Sequence, residues 1–488
     1  MTFRFSFTAL AIAALSVATA APVLAQQPQP TPPPTPQPAR GCPSMGWSEG
    51  LWSNFQQPNS AFPTKDTHDQ PNGVPDCIFH QWSFEAFVWA TTLNKQNVPR
   101  FMTLPTEEDL LSPLLLAGAV HPRTLQLAAR SIVGHGLPGY SEGAGAFVQA
   151  DGNVLVAPNG YPVYTSVHMN PTYFATARKN LISTGDYQKG DPNDTFPLGS
   201  AVFKATWLRL ATGEAPPAGA FVTQAQVPVL TVQRSATAIT ILPVPGKFVS
   251  ATVALVGLHV VGVTENHPEF LWGTFEHNLN SPQVPDNTFS TSGSSSTGYT
   301  LYKANTSYGQ SNIAFKPPLL PFNTTTQRFA PTTNAVVENQ TGGENQPNGP
   351  GNVLAVSGQG QSFFAHEKGD KKVQPMQWIF ANYYLVGTVW MLPNTYNLNS
   401  DQTNAVGSVN LANSTAETFV QYPTNMDMSK VQNCFMCHNA SSYSFQTPPP
   451  EQLKNRLVAI SHTLSVGTDY AVPNMVSGNL RMLFFKGQ

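Results

Sequence analysis

Residues 248–263 read FVSATVALVGLHVVGV. Apolar and β-branched side chains occupy nearly every position, so no alternation separates a wet face from a dry one. A polar His259 interrupts the run. The stretch reads as one or two buried strands, rather than as a membrane helix. Strand signals surround it. Phe203, Ala205 and Trp207 alternate with Lys204, Thr206 and Leu208, and Val227–Val232 and Ala238–Leu242 are further strand-like runs. Another such run ends in Trp272-Gly273-Thr274-Phe275-Glu276-His277. Helical spacing dominates earlier in the chain. Phe79, Trp82, Ala86, Trp89 and Leu93 recur at steps of three and four and predict one apolar face on a helix over 77–93. Further helices are expected over 123–133 and 172–182. The pattern implies an α+β, loop-rich chain: a helical N-terminal part, a strand-rich central body and a short helical segment near the C-terminus.

The edges of the chain read differently. Arg4 precedes an apolar run over 5–20, and Val23 and Ala25 fit the small-residue cleavage pattern, so residues 1–25 are expected to be an export signal cut after Ala25. No Cys follows the cut, which argues against a lipid anchor. Residues 26–40, QQPQPTPPPTPQPAR, form a Pro/Gln tract that favours extended conformations and cannot bury a core; they are read as a linker. Of the 488 residues only 11% are charged, against roughly 25% in an average soluble domain, and the formal net charge is −2. Nothing here points to a nucleic-acid partner or a polybasic membrane surface, and no integral span is expected after signal cleavage. From 278 to 374 the chain is poor in aliphatic residues, and 290–300 and 339–352 are almost wholly polar. Long connections of this kind are uncommon in compact domains unless functional or disordered.

Four cysteines are present. Cys42 and Cys77 are far apart and could form a disulfide in an oxidising compartment. Cys434 and Cys437 stand in Cys-Phe-Met-Cys-His, residues 434–438, the C-x-x-C-H pattern of covalent haem attachment. Each thiol of such a motif adds to one haem vinyl group. On a helix, positions i, i+3 and i+4 share a face, so both sulfurs and the imidazole of His438 point at one side of the macrocycle, with His438 as proximal iron ligand. Other readings of the pair are a thioredoxin-like redox site, half of a zinc site, or a plain disulfide. The export signal favours haem, because this attachment takes place outside the cytoplasm.

A second axial ligand is sought downstream. Thr447-Pro448-Pro449-Pro450-Glu451 looks like a helix start. Leu453, Leu457, Ile460 and Leu464 make an apolar stripe, with His462 opposite it. His462 is therefore a candidate distal ligand, Met475 in Val472-Pro473-Asn474-Met475 is the alternative, and an open sixth position is a third arrangement. Glu276 and His277 are candidate distal-pocket residues by position only. His259 and His80 read as structural histidines. Ser414-Thr415-Ala416-Glu417 looks like a capping box for a short helix, and Ser429 could cap the turn carrying the cysteines.

Several separated stretches resemble a family of bacterial exported proteins described as cytochrome c family proteins. They are SAVFKATWL at 200–208, ALVGLHVVG at 254–262, FLWGTFEHNLNSP at 270–282, YYLVGTVWM at 383–391 and LANSTAETFVQYP at 411–423, followed by the motif at 434–438. The resemblance covers much of 200–440 and implies one covalent haem c near the C-terminus; it supplies no substrate. The expected organisation is a signal over 1–25, a linker over 26–40, a large α+β body over 41–425 and a haem-binding segment over 426–488. The expected role is periplasmic electron transfer to a redox partner protein. The alternative is a haem-dependent oxidoreductase acting on a small exported substrate.

Overall fold

The apolar run 248–263 lies in the longest strand of a single open sheet, and the rest of the fold covers that sheet. The computed structural model describes residues 49–66, 77–110, 125–127, 154–182, 191–234, 239–284, 293–312, 321–330, 338–339, 350–366, 377–392, 394–398, 405–408, 411–418, 434–440 and 456–465. The segments read as signal and linker lie outside these residues, as do Cys42, Ser429 and Met475.

The sheet has eight strands: β1 (Leu125–Gln126), β2 (Val163–Met169), β3 (Ala201–Arg209), β4 (Val222–Arg234), β5 (Ile239–Gly262), β6 (Leu271–His277), β7 (Tyr383–Met391) and β8 (Ala405–Gly407). The first half of β5 pairs antiparallel with β4, and its second half runs between β3 and β6. β2 extends the sheet beyond β3, β7 and β8 extend it beyond β6, and β1 adds to β4 in parallel. The α+β class follows: a strand-rich body with few helices.

Burial on both faces explains the unbroken apolar sequence of β5. Val253, Leu255, Leu258 and Val260 enter one core, and Val261, with Val263 just beyond the strand, enters another on the opposite face. The first core is covered by α1 (Glu49–Phe55), which brings Trp52 into it, by α2 (Cys77–Thr91) and by a further helix, Pro350–His366. α2 is more buried than one apolar stripe would give, because helix 350–366 packs beside it on the same face of the sheet: Ser83, Phe84, Phe87 and Val88 are all inaccessible. The approach is close on both sides. A Cβ at Gly273 of β6 would stand 2.4 Å from Ser83 Oγ, and one at Gly360 would stand 2.1 Å from the Phe84 ring. Cys77, at the start of α2, is disulfide-bonded.

Several expectations are corrected. Within the helix expected over 123–133, the described residues are a strand: Leu125 and Leu127 alternate into the core, and β1 takes backbone bonds from β4 that a helix would forgo. Helix 350–366 is absent from the sequence reading, since Gly351, Gly358 and Gly360 dilute the spacing of Val353, Val356, Phe363 and Phe364. The helix expected around 457–464 is two 3-10 turns, Leu457–Ile460 and His462–Ser465. Ser461 breaks it in an extended conformation, its hydroxyl bonded to Thr463 and to Tyr173 rather than facing solvent. Helices over 77–91 and 171–182 and the central strands agree with the periodicity. Among the described residues no helix is long and apolar enough to cross a membrane.

Glu85 sits inside α2, where its carboxylate accepts a bond from Gln81 Nε2 at 3.0 Å. Burial pushes the carboxyl up to about 8, and the Gln81 bond opposes this only in part. The folded chain thus binds this proton more tightly than the unfolded chain. Its contribution to stability falls as pH rises from the ordinary carboxyl value of 4.5 to about 8, by up to about 1.4 kcal/mol per pH unit. Glu85→Gln is expected to raise the thermal midpoint at pH 8, with the two melting curves converging near pH 4; melts across that range check it.

Candidate functional site

The cysteine motif packs on the second face of the sheet, on a row fixed by strand register. Met169, Val202, Val261, Trp272 and Val389 are successive cross-strand partners across β2, β3, β5, β6 and β7. Side chains opposite one another in a sheet share a face, and these five form an apolar floor. Phe435, Val458, Ile460 and Leu464 are buried against it.

Residues Cys434–Cys437 form one helical turn, closed by a bond from the His438 amide to the Cys434 carbonyl at 2.8 Å. Cys434 is half-buried. His438 Nδ1 lies 2.8 Å from the carbonyl oxygen of Ile460. A carbonyl only accepts, so Nδ1 carries the proton. Burial pushes the imidazole down to about 4; the Ile460 bond and the charge of Glu417 oppose this, and Lys204 adds to it. His438 is therefore a neutral imidazole at pH 7, protonated on Nδ1, with its lone pair on Nε2. That is the form a metal requires, with the backbone bond fixing tautomer and ring orientation.

The Ile460 carbonyl is itself held in place. Leu457 N–H donates to Pro192 O at 3.0 Å, Tyr396 donates to Leu457 O, and Arg456 donates to Asn180 Oδ1 at 2.8 Å. Asn180 and Tyr173 belong to helix 171–182, so that helix anchors the segment opposing the motif. The Trp272 ring packs 4.4 Å from the His438 ring, and His462 stacks on the same ring at 4.1 Å with planes 27° apart. The fold thus brings His438 and His462 together from positions 24 apart in sequence. Their contact is ring on ring. Axial ligands meet a metal edge-on from opposite sides at about 2 Å each, so this contact makes His462 a neighbour of the site without assigning it the second axial position. His438 fits a haem iron; a distal ligand is not defined by the described residues. Among them no group of three or more His, Cys, Asp or Glu is arranged to hold a bare metal ion.

Beside the apolar row lies a polar one. Lys204, His259 and Thr274 are cross-strand partners, followed by Thr206, Gly257 and Glu276. The segment 411–418 docks on these rows. Asn413 Nδ2 donates to Thr274 Oγ1 at 2.8 Å, Thr206 and Thr415 share a hydroxyl bond at 2.6 Å, and Ser414 donates both its amide and its hydroxyl to Glu276. Glu417 accepts from Lys204 at 3.2 Å, His259 at 3.1 Å and the Asn413 amide at 3.0 Å. Burial alone would raise the Glu417 carboxyl, but His259, Lys204 and the amide hold it well below the usual carboxylate range. The capping arrangement expected at Ser414 is shifted by one residue. Ser414 is committed to Glu276, and Asn413 caps the turn by accepting from the Thr415 amide at 2.9 Å.

Glu276 and His277 face opposite sides of β6, as neighbouring strand residues must. Both are buried. Glu276 belongs to the docking network, while His277 accepts from the Leu279 amide on the other face, its imidazole pushed down to about 4 by burial. His80 lies within α2 with its ring near Trp390. His259, read as a core histidine, is buried and bonded to Glu417. Sequence reasoning gave no role to Lys204, Trp272 and Asn413, and gave Glu417 only a place in a capping box. They sit in the stretches that carry the family resemblance, but no spacing rule joins residues 200 positions apart.

A Cβ at Gly257 would come within 2.5 Å of both Thr206 Oγ1 and Thr415 Oγ1. Gly257→Ala is expected to lose about 1–3 kcal/mol through overpacking and to release 411–418. The checks are a thermal melt and hydrogen exchange, with faster exchange expected in peptides covering that segment. Comparison of the chain with protein-family models, with curated proteins and with solved structures finds no match in any of the three.

Proposed function

We propose that this chain is an exported c-type cytochrome, carrying one covalent haem through Cys434 and Cys437 with His438 as proximal ligand, and that it transfers electrons to a redox partner in the periplasm. The observation that carries the reading is the state of His438. It stands one turn from Cys434, is neutral at pH 7, and is oriented through Nδ1 by the Ile460 carbonyl. The C-x-x-C-H spacing, the export signal and the resemblance of 200–440 to exported cytochrome c family proteins support it further.

The bound haem supplies a reversible one-electron couple. Each part of the chain then has a task. The two thiols anchor the group, and His438 offers Nε2. Ile460, held through Leu457 by Pro192 and Tyr396, keeps that ring from rotating. Trp272 and Phe435 close the site toward the sheet and exclude water, which tunes such a centre through local polarity. His462 and Met475 remain the candidates for the distal side.

A haem-dependent oxidoreductase is the second reading. One observation favours it: Lys204, His259 and Glu417, partly exposed and on the same face as the motif, are groups able to exchange protons with a small bound molecule.

The mature protein, made in a periplasm with haem-maturation machinery, is expected to keep its haem through denaturation, and Cys434→Ala/Cys437→Ala to lose it. A wild-type protein without covalent haem would overturn the proposal. Carbon monoxide added to the dithionite-reduced protein separates the two readings. An unchanged spectrum means both axial positions are held and supports electron transfer, whereas ready binding supports the oxidoreductase.

A further inference from the structure

We infer that Glu417 and Lys204 set the reduction potential of the haem in opposite directions, Glu417 lowering it and Lys204 raising it. This rests on the c-type reading above.

Position is the first argument. Lys204 and His259 are register partners, two residues along their strands from Val202 and Val261. Those two are in turn partners of Trp272, whose ring packs on His438. Two residues of strand span roughly 7 Å, so the charged row runs immediately beside the row that floors the motif.

Burial is the second argument. The Lys204, His259 and Glu417 side chains are 19%, 11% and 18% exposed. A charge that far from water is weakly screened and acts over several ångströms. Glu276 lies one row further along, its oxygens taken by Ser414 and Asn280.

The sign follows from charge. Ferric haem carries one positive charge more than ferrous haem. A carboxylate nearby stabilises the ferric state and lowers the potential, and an ammonium does the reverse. In the native cluster the two offset one another, so removing either exposes the other. Thr206 and Thr274 also dock 411–418, through neutral bonds.

The test is a potentiometric titration of the haem-loaded protein, after covalent haem has been quantified in denatured samples. Wild type is compared with Glu417→Gln, Lys204→Met and the double variant at one ionic strength. Glu417→Gln is expected to shift the equilibrium toward the ferrous state by about tenfold, and Lys204→Met toward the ferric state by a similar factor, ~59 mV each for a one-electron couple. The double variant returns close to wild type. A purely structural role would loosen the docked segment in both single variants and move both potentials the same way. Shifts of the same sign, or no shift in either, overturn the inference. If Glu417→Gln does not fold, Lys204→Met decides alone, since it leaves Glu417 held by Asn413 and His259; a potential that fails to fall overturns the inference. Absence of covalent haem in the wild type removes the c-type reading and this inference with it, an outcome distinct from unmoved potentials in a loaded protein.

Discussion

A strand apolar on both faces has to be covered twice, and the architecture follows from meeting that need for Ile239–Gly262. On one face α2 and helix 350–366 close the sheet with aromatic side chains, Phe87 stacking on Phe275 at 4.1 Å. The other face is covered by shorter pieces: helix 171–182, the segment 411–418, the cysteine turn and the 3-10 turns of 456–465. Short elements bury little area each, so their attachment depends on specific bonds as well as on apolar contact.

The second face therefore divides by chemistry. Where β3, β5 and β6 present Val202, Val261 and Trp272, the cysteine turn lies on an apolar row. Two residues along, the same strands present Lys204, His259 and Thr274, and there the attached segment is polar. Buried polar groups stabilise only when they are satisfied. Asn413, Ser414 and Glu417 meet that condition by bonding into the sheet and into their own turn. The arrangement places a paired acid and base beside the motif. It also gives a physical role to sequence stretches that contain no recognisable catalytic pattern.

What could be read in advance follows from how far apart the interacting residues lie. Local periodicity located α2, helix 171–182 and the strands around 201–277, because each of these repeats within a dozen residues. It misplaced the segment at 125–127, where pairing with distant β4 decides the conformation, and it overlooked helix 350–366, whose glycines are there to admit Phe84. The motif at 434–438 was legible because its chemistry needs three residues within five positions. Trp272 and Ile460 were not, since neither is unusual in its own neighbourhood.

The sequence by itself determined the α+β class, the burial of the central strand, and the placing of two cysteines and a histidine within five residues. These depend on side chains close together along the chain. Only the tertiary structure decided which nitrogen of His438 carries the proton, that His462 stacks on that ring, and that Glu417 pairs with Lys204 and His259. Each of these is a contact across tens or hundreds of residues. It is set by strand register, in which a shift of one residue would turn Trp272 and Lys204 to the opposite face.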